Sequence, residues 1–462
     1  MRIAYLIHWN EGPESGVFKK VVAQASAWRA LGHEVSLFLF SRKTAKLWNV
    51  ADTAGISVVC EMYSGRWGRM ARFKALAERL CSWQPDIIYH RFDLYYAKLP
   101  SLLRAFPSVL EINTNDVAEL ALERRGRGWL RYTYHRLTRG WVLRAAGGLV
   151  FVSRELAKAK VFRCYARRAI VIGNGIGLAE FPPLPAGSNN QSVHPEVSAQ
   201  RQEGVSADDM GTGLAGLAGL KEKNDTGEAA GVAGSMRLVF IGSPGQPWQG
   251  LDEIAGWARA KPNWRFDIIG PEQDELEQLT NKRLPKRGAG STLLADDGPE
   301  VPVNLFFHGI LTRLEYQPLL DQADLAIGTL ALYRKGMEEA SPLKVREYLA
   351  NGLPVIAAYK ETDFPLSVPF ILELPNKPGS AVHHLEEIEQ FAARWKGRRV
   401  PRALVQHLDT TVKEAARVAY MERTLQEWRP KLPVCITWKG WMEQRPRQGE
   451  PTGVDTWERG KG

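Results

Sequence analysis

Only four cysteines, Cys60, Cys81, Cys164 and Cys435, occur in 462 residues, and no two form a Cys-x-x-Cys pair. This spacing offers neither a zinc knuckle nor a disulfide framework, and it fits a reducing compartment. No apolar run reaches the ~18 residues that a membrane span needs. The opening "MRIAYLIHWNEGPES" has too short an apolar core for a secretory signal. The expected location is therefore cytoplasmic, soluble or peripheral on the inner face of the cytoplasmic membrane. Phe, Trp and Tyr are missing altogether from Leu184 to Ser235, where Gly and Ser abound and "GLAGLAGL" repeats a three-residue unit. A stretch of that kind buries too little surface to order itself, so residues 184–235 read as a disordered insertion, and 432–462 as a flexible tail. A cluster with metal-ligand spacing is lacking too: "HHLEEIE" (His383 to Glu389) reads as a solvated helix, and no metal is expected.

What is present is enough for two folded cores, because single cores stop growing near ~250 to 300 residues. Sixty-one basic against fifty-one acidic residues leave a net charge of +10, which favours anionic partners. No base-reading module accompanies that charge, and nucleic acid is not an expected partner. The N-terminus reads as a β-α-β unit: "RIAYLIH" is an apolar strand, Val17 to Leu31 carries helical periodicity, Gly32 caps it, and "HEVSLFLF" is a second buried strand. The pattern returns at "MRLVFIGS", "GLDEIAGWARA" and "WRFDIIG", from Met236 onward. Further short strands are expected at Pro85 to Arg91, Ser108 to Asn113, Gly148 to Ser153, Ala169 to Gly175, Asn304 to Gly309 and Asp324 to Thr329. Strands alternating with helices mean parallel sheets, so the expected class is α/β with two doubly wound domains. The expected division is 1–183 and 236–410, with a helix over 411–431 that returns to the N-terminal domain. In such sheets ligands bind beyond the carboxyl ends of the strands, which places a site in the cleft between domains.

The stretch "EEASPLKVREYLANGLPVI" (Glu338 to Ile356) carries the densest chemistry. Ser341 is expected at the N-cap of a helix with Pro342 in its first turn, and Gly352 and Pro354 end it. The amides of Leu343 and Lys344 then point out of a helix N-terminus beside the Lys344 ammonium, a ready grip for a diphosphate. Glu347 lies one turn on, able to accept two hydrogen bonds from the vicinal hydroxyls of a ribose, and Glu339 precedes the helix, within reach of a sugar beyond the phosphates. Taken alone, Lys344 and Glu347 at i,i+3 read first as an ordinary surface ion pair worth ~0.2 to 0.5 kcal/mol, and it is the remainder of the chain that favours a ligand.

These residues resemble a retaining glycosyltransferase of the family 4 type with the GT-B fold. Glu339 and Glu347, with seven residues between them, match its E-x7-E motif, and "EYLANGLPVIA", "RALGHEVSLF", "PDIIYHR" and "VIGNGIGLAEF" are similar to its other conserved stretches. The resemblance covers most of 1–183 and 236–430. It implies two Rossmann-like domains facing a cleft, a nucleotide-diphosphate sugar as donor, no cofactor or metal, and a glycan or lipid-linked acceptor in bacterial surface polysaccharide synthesis. It implies donor contacts from Gly16, Gly242, Gly245, Gln249, Glu339, Ser341, Leu343, Lys344 and Glu347, with Glu339, Arg91 and Asn113 about the reacting centre. The departures are chemical. Where the family often places an Arg and a Lys on the diphosphate, this chain has Ser243 and Gln249; Gly177 replaces an aspartate; and "EASP" replaces a glycine-aromatic loop.

On the acceptor side, His90, Arg91, Asp93, Asn113 and Glu119 cluster at expected strand ends. From Arg124 to Arg144 the chain holds seven arginines and no acid, with Leu130, Tyr134, Leu137 and Trp141 at i, i+4, i+7 and i+11. That pattern fits an interfacial membrane contact, and equally a core helix with a solvated arginine face. A GT-B-shaped nucleotide-sugar epimerase and a non-catalytic protein of the same fold are the alternatives to a transferase.

Overall fold

The computed structural model describes residues 1–10, 15–42, 55–93, 95–122, 128–182, 184, 235–281 and 301–429. The segment read as an insertion, apart from its end residues, and the tail lie outside the described residues, as do Arg124, Arg125 and Arg127.

In the N-terminal domain strands β1 (Arg2–His8), β2 (Glu34–Arg42), β3 (Ser57–Tyr63), β4 (Ile87–Arg91), β5 (Ser108–Ile112), β6 (Gly148–Phe151) and β7 (Ala169–Val171) form one sheet in the order 3-2-1-4-5-6-7. Helices α1 (Gly16–Ala30), α2 (Gly65–Ser82), α3 (Leu99–Ala105), α4 (Asp116–Leu122), α5 (Gly128–Ala145) and α6 (Arg154–Lys158) connect them. In the C-terminal domain β8 (Arg237–Ile241), β9 (Arg265–Ile269), β10 (Leu305–Phe307), β11 (Leu325–Ile327), β13 (Val355–Ala357) and β15 (Ile371–Glu373) follow the order 10-9-8-11-13-15. Two short strands, β12 (Glu339–Ala340) and β14 (Lys360–Glu361), pair beside that sheet. The helices here are α7 (Leu251–Ala260), α8 (Gln273–Asn281), α9 (Arg313–Gln322), α10 (Leu343–Ala350), α11 (Ser380–His383), α12 (Leu385–Trp395) and α13 (Thr410–Glu427). Every strand pair is parallel, and such sheets need helices on both faces, which is why β1 and β2 read as nearly unbroken apolar runs.

The chain crosses between domains twice, and the crossings run side by side. Ile176 N–H donates to Leu408 O at 2.9 Å and Thr410 N–H to Ile176 O at 3.0 Å. A Cβ on Gly175 would stand 3.0 Å from Thr410 Cα, so glycine permits this close approach. Beyond the crossing, α13 lies against the N-terminal domain: Val418, Tyr420 and Met421 join the buried cluster of Tyr5, Val21 and Trp28, and Glu414 accepts from Trp28 Nε1 at 2.9 Å. A second buried cluster runs from Phe151 and Phe162 to Tyr348 and Leu408, so the two domains share apolar packing.

Candidate active site between the sheets

Each sheet reverses its strand order once, between β1 and β4 and between β8 and β11, and a crevice opens beyond the carboxyl ends of the strands at such points. After β8 the chain turns at Gly242. A Cβ there would fall 2.4 Å from Gln249 Oε1 and 2.5 Å from a ring carbon of Phe240, so both side chains lie directly over the turn. Lys344 reaches the same place from α10, its ammonium 3.9 Å above the Phe240 ring and 3.5 Å from Gln249 Oε1. Among the described residues no carboxylate pairs with it, and burial alone pushes its ammonium down to about 7. The backbone amides of Leu343 and Lys344, in the first turn, likewise have no acceptor among the described residues. One helix N-terminus thus carries a cation and two amides that have no acidic partner or acceptor among the described residues. Ser243 and Gly245 edge a cavity of about 100 Å³ beside it, but the Gly245 amide donates to Glu275 Oε2 at 2.6 Å rather than facing the crevice.

The helix begins one residue later than its sequence reads. Pro342, extended at ψ 138°, holds the cap position, and Ser341 is drawn across the domain boundary, where its Oγ accepts from Asn174 N–H at 2.7 Å. Asn174 Nδ2 also bonds Ser341 O. Lys344 and Glu347 make no ion pair: Glu347 instead accepts from Tyr316 OH at 2.6 Å. Burial pushes the Glu347 carboxyl up, against the Tyr316 bond and the charges of Arg313 and Lys19. Lys19 lies on α1, the helix that Gly16 begins. Glu339 lies across the boundary too. Its Oε1 and Oε2 accept from the N–H groups of Arg154 and Glu155 at 2.9 and 3.0 Å, capping α6, while Glu155 Oε2 accepts from the amides of Glu338 and Glu339, both at 2.7 Å. The carboxylate expected near the sugar thus lies in a reciprocal clasp, because the unpaired amides of a helix N-terminus attract an adjacent anion.

The N-terminal residues divide. His90 is fully buried within β4, with Nδ1 2.9 Å from Leu6 O and burial lowering its pKa to about 4; it does not line the cleft mouth. Arg91 stands over Trp9 and 4.0 Å from Glu111. Asn113 Oδ1 accepts from Lys20 Nζ at 3.0 Å, and Lys20 also pairs with the buried Glu111. Asp93, just after β4, accepts from Tyr96 OH at 2.8 Å and lies 2.5 Å from His8 Nδ1 at the end of β1, so these two residues occupy the N-terminal switch point. Glu119 reaches across to Lys335 Nζ at 3.4 Å, and Lys335 sits 3.7 Å above the Trp248 ring. Sequence reasoning missed Lys19, Tyr316, Lys335 and Glu155, none of which has a local pattern that foretells its distant partner. Among the described residues no group of three or more His, Cys, Asp or Glu is placed to hold a metal ion.

Residues 15–180 match the family model described as Glycosyltransferase Family 4. No curated protein matches the chain in sequence. Solved structures are similar over 92% of this chain. Anabaena HepE with UDP and glucose is 15% identical, 99% covered, at TM-score 0.53. A glycosyltransferase from Rickettsia africae is 10% identical, 100% covered, at 0.57, and sucrose-phosphate synthase from Thermosynechococcus elongatus is 12% identical, 98% covered, at 0.55. At these identities the likeness concerns the fold: two Rossmann-like sheets facing a cleft, the GT-B arrangement, with the family 4 signature on its N-terminal part.

Proposed function

We propose that the protein is a glycosyltransferase that takes a sugar from a nucleotide-diphosphate sugar and adds it, with retention of anomeric configuration, to a glycan or lipid-linked acceptor in surface polysaccharide synthesis. The observation that carries the reading is Lys344, a half-buried lysine with no carboxylate partner among the described residues, beside the open amides of Leu343 and itself at the C-terminal switch point. HepE, of the same fold, holds UDP and glucose. In this reading the diphosphate lies against Lys344 and the Gly242 turn, and Glu347 accepts from the ribose. The bond between the anomeric carbon and the phosphate oxygen breaks, and negative charge collects on the diphosphate where fixed donors stabilise it. The acceptor hydroxyl attacks the same face, forming the new C–O bond and passing its proton to the departing phosphate oxygen. Arg91, Asn113 and Glu119 orient the acceptor from the N-terminal side. Since Lys344 and the amides meet the diphosphate charge, chelation with EDTA is expected to leave turnover unchanged.

The test is release of nucleoside diphosphate from a panel of nucleotide sugars, with and without candidate acceptors. Acceptor-dependent release supports transfer. Conversion without acceptor supports an epimerase, and the absence of nucleotide binding in a thermal-shift screen removes the donor site.

A further inference from the structure

The polarity of α5 is inverted. Its inward face carries His135, Thr138 and Arg139 alongside Val142 and Leu143. Most of these polar atoms have partners: Arg139 Nε and Nη2 donate to Asp116 at 2.6 and 2.9 Å, Thr138 Oγ1 donates to Tyr134 O at 2.8 Å, and His135 Nε2 lies 2.5 Å from the Asp116 carboxylate, while His135 Nδ1 has no partner among the described residues. Its outward face carries Leu130, Tyr134, Leu137 and Trp141, exposed by 63%, 47%, 72% and 50%. A stripe that the sequence reads equally well as core-facing is therefore turned to solvent. Nothing acidic occurs in α5, and Arg131, Arg136 and Arg144 are exposed along the same helix. A second patch adjoins it. Tyr95 packs on Tyr134 and Trp141, and the next residue, Tyr96, stacks on Phe73 and lies under Arg69 of α2. The first turns of α2 expose Trp67 by 86% and Met70 by 56%, and Gly65 to Lys74 contains no acid.

We infer that this face, α5 with the start of α2, binds the surface of an anionic phospholipid bilayer. Monomeric proteins rarely leave contiguous apolar patches uncovered. Trp, Tyr and Leu bordered by arginine suit the headgroup boundary, where rings and aliphatic chains enter the acyl edge and guanidinium groups meet lipid phosphate. The absence of acid selects an anionic partner, and the consecutive Tyr95 and Tyr96, one against α5 and the other against α2, join the two patches. No helix among the described residues is long and apolar enough to cross a membrane, so the contact lies in the interface. The inference stands apart from the donor reading, and deepens it only in bringing the cleft to a lipid-linked acceptor.

The full chain is sedimented with vesicles of phosphatidylcholine alone and of phosphatidylcholine with an equal share of phosphatidylglycerol. Binding to the second kind, weakened by salt, is expected, with a loss of about tenfold or more in the double variant Leu137→Glu, Trp141→Glu. Both sites are exposed and apart from the donor residues, so nucleotide binding should not move, and the melting temperature should fall by no more than the loss of the Trp141 contact with Tyr95. Should that variant fail to fold, Arg136→Glu with Arg144→Glu serves, and is expected to remove the preference for phosphatidylglycerol. Absence of vesicle binding by the wild-type chain at low salt overturns the inference, as does binding untouched by either variant. So does sedimentation equilibrium showing a dimer that the first variant dissolves while vesicles are ignored; the face would then be a contact between copies. Binding to an oligonucleotide in place of vesicles overturns it equally.

Discussion

Lys344 occupies a position where a lysine is costly, and the proposed diphosphate site would give that cost a use. Burial lowers its ammonium from 10.5 to about 7, so the folded chain holds that proton less tightly than the unfolded chain does. The resulting penalty on stability is fully present below about pH 7 and is relieved as pH rises towards 10.5. Lys344→Met should therefore raise the melting temperature at neutral pH while weakening nucleoside diphosphate binding about ten- to hundredfold, a pairing that calorimetry reads in one sample. Because a bound diphosphate favours the ammonium, wild-type affinity should fall by up to about tenfold per pH unit above that value, with proton uptake on binding, and the variant should lose this dependence. Glu347 poses the complementary question. Held by Tyr316, it is the proposed partner of the ribose; on that reading Glu347→Ala should cost about tenfold or more for a ribonucleoside diphosphate and much less for its 2′,3′-dideoxy analogue. Equal loss for both in titration calorimetry would remove Glu347 from the ribose. That one helix carries both residues was legible in advance, and the resemblance also pointed to Gln249; Tyr316 and Phe240 were not legible, since they lie far away in sequence and only the fold brings them in.

Among the elements, α6 and β12 show what a helix N-terminus does when another domain lies against it. Five residues are too few for a stable isolated helix, and α6 is completed by the Glu339 carboxylate on its first amides and by its own Ser153 cap. The clasp is reciprocal through Glu155, so Glu155→Ala should release two amides while leaving α10 intact. Loss of the carboxylate acceptor for one exposed and one half-buried amide costs about 0.5 to 1.5 kcal/mol, and amide exchange at Glu338 and Glu339 should quicken by about two- to tenfold, with Glu155→Gln retaining most of the protection. Unchanged exchange would mean the two amides find another acceptor. The elements themselves were largely readable. All the long central strands carry apolar runs that a parallel sheet demands, whereas β3, an edge strand, escaped notice because its short run Val58 to Cys60 is broken at Glu61. The pairs β12 and β14 are two residues each, below the length at which periodicity exists. The direction of α5 was undecidable from its sequence, since either face of a helix with arginines all round can turn inward, and Asp116 on α4 decided it.

For the whole molecule, the division of the chain into two β-α repeats follows from the sequence echo, but the N-terminal domain is not built from its N-terminal half alone. α13 closes it, bringing Arg417 to the carbonyls of Ile172 and Gly173 at 3.1 and 3.0 Å and the Tyr420 hydroxyl to Leu149 N–H at 3.0 Å. Beneath that helix lies a buried charge set. Burial pushes the Glu111 carboxyl up, yet Lys20, Arg417 and Arg91 hold it well below the ordinary range, and Glu414 engages both Gln24 and Arg417. Removing α13 leaves Glu111 and Lys20 without the Arg417 side of that set and bares the apolar surface under Val418, Tyr420 and Met421. At about 1.5 to 3 kcal/mol for each of three side chains, the lost burial alone is about 5 to 9 kcal/mol, comparable with the entire stability of a typical domain. A fragment ending at residue 182 should therefore show no cooperative urea transition, although its sheet is complete. The fragment with Thr410 to Glu427 joined to it through a flexible linker should regain one. Cooperative unfolding of the shorter fragment would show that α13 is an ornament on a domain that stands alone, and the two halves could then move about the cleft without the constraint that the paired crossings at Ile176 and Thr410 impose.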